Sequence, residues 1–423
     1  MTALAAPTET PLTGSERLGQ RAAIQVFLAF ALAYLISALL RAITATLSPT
    51  LSAELALSAS DLGLLAGGYF FGFALMQLPL GTWLDIHGPR RVSVAFLSVA
   101  VVGCVAFALA TSFPGLLVAR VLIGMGVSAC LMAPLTGYRR WYTPAALLRA
   151  NSWMLMTGSM GMVAATLPVQ WLMPVLGWRG LFWGLAGLVV VAMVLLAWQV
   201  PAWRRPASRP DEPQVGYGVV ARHPYFRQMV AIGFFNYGGM VAVQTLWAAP
   251  WMVRVAGYTP QDSALGLFAI NVCMLTAFWL WGLVNPRLVH RGVAPEQLIF
   301  WGLPFSLLVL AAIVAMGPAA GWPMWALFCV ASTVVSLCQP AVAQALPPEA
   351  AGRALSAFNL VIFAGIFVVQ WGIGLLVDAG AWLGWDTLAS FRGAIGVFGL
   401  LATAAYAGFW RAQRRVQRAA ALP

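Results

Sequence analysis

Gly81-Thr82-Trp83-Leu84-Asp85-Ile86-His87-Gly88-Pro89-Arg90-Arg91 is a short charged turn between two long apolar runs. It stands out in a chain of 423 residues that is 61% hydrophobic and only 9% charged. Globular domains carry about a quarter charged residues, so this chain cannot cover a water-facing surface of ordinary size. A lipid bilayer is the surrounding that fits. The net charge of +12 and a pI near 10.3 would suit nucleic acid if the basic residues formed one patch. Instead all 24 basic residues are Arg, scattered through short connectors between apolar segments, so no nucleic-acid partner is expected.

Working outward from the turn, a membrane span needs about 20 mostly apolar residues. Twelve such stretches are predicted, at 22–48, 62–84, 92–110, 114–137, 151–174, 180–199, 229–252, 264–284, 297–316, 323–346, 354–377 and 391–410. With the N-terminus in the cytoplasm, 19 Arg fall inside, while Arg179, Arg254 and Arg392 fall outside and Arg41 and Arg120 lie within spans. That asymmetry predicts an inner-membrane protein with both termini cytoplasmic. The first twenty residues contain no apolar run that reads as a cleaved leader, so the first span is expected to direct insertion. The expected fold class is an all-α membrane protein of twelve helices in two six-helix bundles: residues 1–200, a cytoplasmic linker over 201–228, and residues 229–423. The linker carries Arg204, Arg205, Arg209, Asp211 and Glu212 among several prolines.

The halves echo each other. Thr143-Pro-Ala-Ala-Leu-Leu-Arg149-Ala-Asn-Ser152 and Pro347-Pro-Glu-Ala-Ala-Gly-Arg353-Ala-Leu-Ser356 align at an offset of 204, and Gly88 pairs with Gly292 at the same offset. Duplication of a six-helix unit explains both matches, and duplicated halves are how carriers build alternating access around a midplane site.

The opening turn resembles the loop after the second helix of major facilitator superfamily transporters, whose pattern runs Gly-x-Leu-x-Asp-Arg-x-Gly-Arg-Arg. Gly81, Asp85, Gly88 and Arg90 match it, while Trp83, Ile86 and Pro89 depart from it. The resemblance implies the superfamily's fold and a conformational latch formed by those four residues. The competing reading is a turn that only caps and orients helices, with Asp85 accepting backbone N–H groups at the start of the third span. A degraded copy retains Gly282, Asn285, Arg287, Arg291 and Gly292, and Arg120, Gly124 and Gly126 resemble the family's Arg-x-x-x-Gly fourth helix. Gly158, Gly161 and Pro168 match the fifth helix of drug/proton antiporters poorly. Arg41 with Gln77-Leu-Pro-Leu-Gly81 is similar to the organic-anion branch, although Leu40 stands where sugar-acid carriers commonly have Asp.

A charged side chain at mid-bilayer costs about 2.5–3.5 kcal/mol on insertion scales, so each one needs a reason. Two are found, Arg41 and Arg120. Tyr34, Ser37, Arg41, Thr44 and Ser48 share one helical face of the first span, and Arg120, Gly124 and Ser128 share one of the fourth. The resemblance puts the first, fourth, seventh and tenth helices around a central cavity, where the two guanidinium groups would meet an anionic small molecule. The alternatives are snorkelling to the outer headgroups for Arg41 and inter-helix bonding for Arg120. From the other half Asn236, Gln244, Gln339 and Asn359 are expected to contribute polar contacts, as are Asn271, Ser332, Ser336 and Gln370, although single amides in spans also serve as glue between helices.

All 12 acidic residues sit in connectors or at span ends, so proton symport would run through Asp61 or Asp378 at an outer rim, or through the substrate. The five Cys and the Met154, Met156, Met160, Met162 cluster lack metal-ligand spacing and read as packing. No nucleotide loop, nucleophile triad or cofactor motif appears, and no enzyme is expected. The leading expectation is a monomeric secondary carrier of a small organic anion. Efflux of amphipathic compounds and a non-cycling transporter-like receptor or assembly factor are the alternatives.

Overall fold

The protein, represented by a computed structural model, is described over residues 17–203 and 216–420. The expected linker charges Arg204, Arg205, Arg209, Asp211 and Glu212 lie outside those residues. The chain forms α1 (Gln20–Leu55), α2 (Ala59–Leu75), α3 (Gln77–Leu109), α4 (Phe113–Trp141), α5 (Pro144–Ala164) and α6 (Leu167–Gln199). After a short helix, Tyr217–Arg222, come α7 (Pro224–Arg254), α8 (Pro260–His290), α9 (Pro295–Met316), α10 (Trp322–Gln344), α11 (Pro348–Trp382) and α12 (Thr387–Ala420). No strand occurs among the described residues. Ten helices are long and apolar enough to cross a membrane, and Ala59–Leu75 is a shorter apolar one.

The helix boundaries depart from the predicted spans where proline and glycine intervene. The predicted span 62–84 is interrupted at Met76, because Pro79 has no N–H to offer the carbonyl four residues back. The Gln77 side chain donates to the Phe73 carbonyl there. Within α3 the helix breaks at Gly88 (φ 77°, ψ 165°), and within α6 at Gly177 (φ 61°, ψ 171°). Both conformations belong to a region that is nearly glycine-only. These two breaks separate the predicted second span from the third and the fifth from the sixth.

Apolar side chains divide by surroundings. Trp247, Trp251, Trp325, Tyr69 and Tyr138 are fully buried between helices, whereas Trp198 and Trp382 are more than four-fifths exposed, as suits lipid-facing positions.

The most extensive helix pair joins the two parts of the chain. α2 and α11 run antiparallel, close enough that a Cβ on Gly63 would strike the Gln370 carbonyl and one on Gly374 the Ala59 carbonyl. Small residues let backbones approach in this way inside membranes. Beyond the glycines the seam turns aromatic, with Phe73 against Phe363 at 4.3 Å and Phe71 against Phe367 at 5.4 Å.

Local conformation also repeats at the expected offset. Gly88 and Gly292 have φ of 77° and 76°, and Thr143 and Pro347 enter their helices with ψ of 156° and 149°. Arg179 donates to the Ala110 carbonyl and Arg392 to the Ala315 carbonyl, so an arginine following a late turn reaches back to an earlier helix end in each part.

Candidate functional site

The two intramembrane arginines converge on one side chain that the sequence did not single out. Arg120 is completely buried, its Nη1 donates to the Leu40 carbonyl at 3.0 Å, and its Cζ lies 5.4 Å from the centre of the Tyr69 ring. Its Nε and Nη2 have no hydrogen-bond partner among the described residues. Arg41 lies 5.9 Å over the Phe73 ring, in electrostatic reach of the hydroxyls of Tyr34, Tyr69 and Tyr237, and its buried Nε is also without a hydrogen-bond partner. Tyr69 donates to the Ser37 carbonyl at 3.1 Å, which leaves its oxygen free to accept from the Ser37 hydroxyl, 3.4 Å away, and to face Arg41.

Cation–π contacts are worth up to about 2 kcal/mol when desolvated. Three unpaired donor nitrogens on two guanidinium groups far exceed what such contacts satisfy, since each buried donor left unpaired costs about 1–3 kcal/mol or more when charged. The arrangement is chemically suited to an anion offering several oxygen acceptors.

The neutral groups expected to share this site are mostly occupied elsewhere. Gln244 donates to Asn271 at 3.0 Å, joining α7 to α8, and Gln339 donates to Asn359, joining α10 to α11. Asn236 donates to the Ala402 carbonyl at 3.2 Å, toward α12, and Gln370 donates to Thr245 at 2.9 Å. α7 widens into π-helical turns at Ile232–Tyr237 and Val243–Trp247, with Asn236 bonded toward α12 and Gln244 toward α8. Between Ser332 and Gln339, α10 tightens into a 3₁₀ segment, Thr333–Leu337. Tyr237, from the first π segment, is the α7 side chain in reach of Arg41 and Tyr34.

The charged turn packs against Trp203. Gly88 lies against Trp203 so closely that a Cβ would overlap the indole. The Trp203 Nε1 donates to the Asp85 carbonyl at 3.1 Å, and its ring packs on Trp141 and under Arg140. The Asp85 carboxylate lies in electrostatic reach of Arg353, on the first turns of α11. Gly81 meets nothing that would exclude a side chain, and Arg90, two residues past the break at Gly88, is half-buried.

Two cavities lie away from the arginines. One is lined by Gly292, Val293, Pro295, Leu337, Pro340 and Gln344, and a small one lies beside Asn236 between α7, α9, α10 and α12. In this conformation Arg41 and Arg120 are packed by Tyr69, Phe73 and their neighbours, with neither cavity reaching them.

Comparison with known proteins bears on what such a site is for. The profile of the Major Facilitator Superfamily matches residues 30–370. The chain belongs to that superfamily. Its superfamily relatives are transporters and not enzymes. The protein named "Probable sulfoacetate transporter SauU" of Cupriavidus necator is 23% identical over 61% of this chain and 64% of its own length. The "Inner membrane transport protein YajR" of Escherichia coli is 25% identical over 74% of this chain and 68% of its own. The "Probable anion transporter 1, chloroplastic" of Oryza sativa subsp. japonica is 22% identical over 78% of this chain and 66% of its own. The first of these matches spans less than two thirds of the relative. Among solved structures, a bacterial homologue of the human lysosomal transporter Spinster, in an inward-facing and unoccupied conformation, superposes with a TM-score of 0.77 at 18% identity, covering 94% of this chain and 98% of the other. A D-xylose-proton symporter gives 0.73 at 16% identity, covering 92% and 97%. The shared property at that identity is the superfamily fold.

Proposed function

We propose that this superfamily member is a secondary carrier that moves a small organic anion by alternating access. The observation that carries the proposal is the pair of intramembrane guanidinium groups with buried, unpaired nitrogens, held against the single side chain of Tyr69. An anion with two or more acceptor oxygens supplies the missing partners for Nε of Arg41 and for Nε and Nη2 of Arg120. Tyr34, Ser37 and Tyr69 lie at the same place and suit hydroxyl contacts to that ligand. Gln244, Gln339, Asn236 and Asn359 act first as bonds between helices, and a polar substrate contact by any of them would require exchanging those bonds during the cycle. Two relatives named for sulfoacetate and anion transport favour the same charge class.

In this reading twelve spans form two six-helix halves, 1–200 and 229–423, with both termini on the cytoplasmic side of the inner membrane, and the carrier works as a monomer. The repeated backbone conformations at Gly88 and Gly292 and the paired reach-back of Arg179 and Arg392 support the duplicated halves. Gly81, Asp85, Gly88 and Arg90 form the latch on one face, with Asp85 facing Arg353 across the halves.

Uptake into proteoliposomes across short carboxylates, sulfonated carboxylates, phosphate esters, neutral sugars and nucleosides tests the proposal. Accumulation of an anion, competed by other anions and not by sugars, is expected. Selective movement of a nucleoside or an amphipathic cation would replace it with the efflux reading, which the aromatic ring set around Arg41 favours. No movement of any solute would favour a receptor or assembly role.

A further inference from the structure

The α2–α11 seam ends in a contact that neither the charged turn nor the arginine pair explains. The two carboxylate oxygens of Asp378, near the end of α11, accept from the backbone N–H groups of Ala59 at 3.0 Å and Ser60 at 2.8 Å, the first two residues of α2. These residues are more than three hundred positions apart in sequence. They belong to opposite halves. The first N–H groups of a helix have no partner within it, and the helix dipole gives that end a partial positive charge. A carboxylate bonded to two of them is a charge-assisted bidentate clasp.

α2 is already capped from its own half. Ser58 accepts from the Asp61 N–H at 3.0 Å and the Asp61 carboxylate accepts from the Ser58 N–H at 3.1 Å. Asp378 is therefore not needed to start the helix. It takes the two donors that the local capping box leaves over, at the price of setting two carboxylates around one helix end, with no salt bridge to Asp378 among the described residues. Directly below, the Gly374 backbone meets that of Ala59, so the clasp holds only while the seam is shut.

We infer that Asp378 and the start of α2 form the outer gate: the carboxylate clasps the α2 N-terminus when the outer side is closed and releases it when the halves part. The inference rests on the alternating-access reading. Its test needs no substrate, so failure of the anion proposal and failure of the gate are told apart. Thr44, buried on α1 beyond Arg41, reports on the outer vestibule. The full chain in membranes, with Cys273→Ser and Thr44→Cys, is exposed on the outer side to a membrane-impermeant thiol reagent, and the parent without Thr44→Cys gives the background. Adding Asp378→Asn, whose amide accepts through one oxygen and carries no charge, is expected to speed modification of Thr44→Cys by about ten-fold, the scale of one lost bond to a charged acceptor. Adding Asp61→Asn instead, which disturbs only the local cap, is expected to leave the rate within about two-fold. Asp378→Glu, which keeps the charge on a longer arm, gives an intermediate rate and serves where the amide variant does not reach the membrane. Unchanged labelling in the Asp378 variants overturns the gate. Equal acceleration by Asp61→Asn overturns it too, because the cause would then be fraying of α2.

Discussion

Arg120 donates to the carbonyl of Leu40, the residue immediately before Arg41. The two intramembrane cations are thereby fixed to each other through one peptide unit of α1 as well as through Tyr69. Such a linkage makes the position of each guanidinium depend on the other, which is what a shared ligand requires and what two independent helix contacts would not need.

Replacing Arg120 separates charge from glue. Arg120→Gln retains a donor that can reach the Leu40 carbonyl but loses the charge and the unpaired nitrogens. An uncompensated buried charge is strongly destabilising, so on its removal the amount of folded protein and its melting temperature should hold or rise. Uptake should fall by at least about ten-fold, consistent with the loss of a charge-assisted bond. A variant that transports normally would leave Arg120 a structural group.

Tyr69→Phe tests the hub. The ring stays beneath Arg120 while the hydroxyl that faces Arg41 and donates to Ser37 is lost. Loss of one hydrogen bond supports a rise in apparent KM of about 2- to 10-fold with little change in expression. An unchanged KM would remove Tyr69 from the site.

At the charged turn, Gly88→Ala meets two separate obstacles, the positive φ and the Trp203 indole. Backbone strain of this kind is worth about 1–3 kcal/mol. Gly88→Ala should insert normally but cycle slowly, and adding Trp203→Ala should recover only part of the rate, since the φ strain remains. Full recovery in the double variant would show that the indole contact alone matters.

Orientation follows from the distribution of arginines. Reporters fused after Arg418 and within 201–228 should read cytoplasmic, and one near Gly257 should read external. An external signal from the linker would overturn the two-half topology.

Much of this was legible in the sequence, for identifiable reasons. Arg41 and Arg120 stand out because charge is scarce in apolar segments, and Gly88 because a glycine before proline in a charged turn has few other uses. Glycine repetition at an offset of 204 carried through to matching φ angles. Tyr69 was not legible: one aromatic among many in apolar segments has no periodic or charge signal, and its role arises only when α1, α2 and α4 meet. Trp203 lay hidden in the expected linker for the same reason. The π-helical turns of α7 and the 3₁₀ turn of α10 were not legible either, because tertiary packing, which no local propensity encodes, sets those turns. Asp378 was visible as an acid at an outer rim, but its bonds to α2 depend on a contact across the halves.

The most direct test of the paired-cation site is uptake of the transported anion by Arg41→Ala and Arg41→Lys, measured at matched amounts of folded protein. Arg41→Ala should abolish or severely weaken uptake, and Arg41→Lys should restore only a fraction, because an ammonium offers a point charge in place of a planar fork. A lysine that restores full uptake, together with tight binding of an uncharged solute, would contradict the account and leave Arg41 as a snorkelling residue.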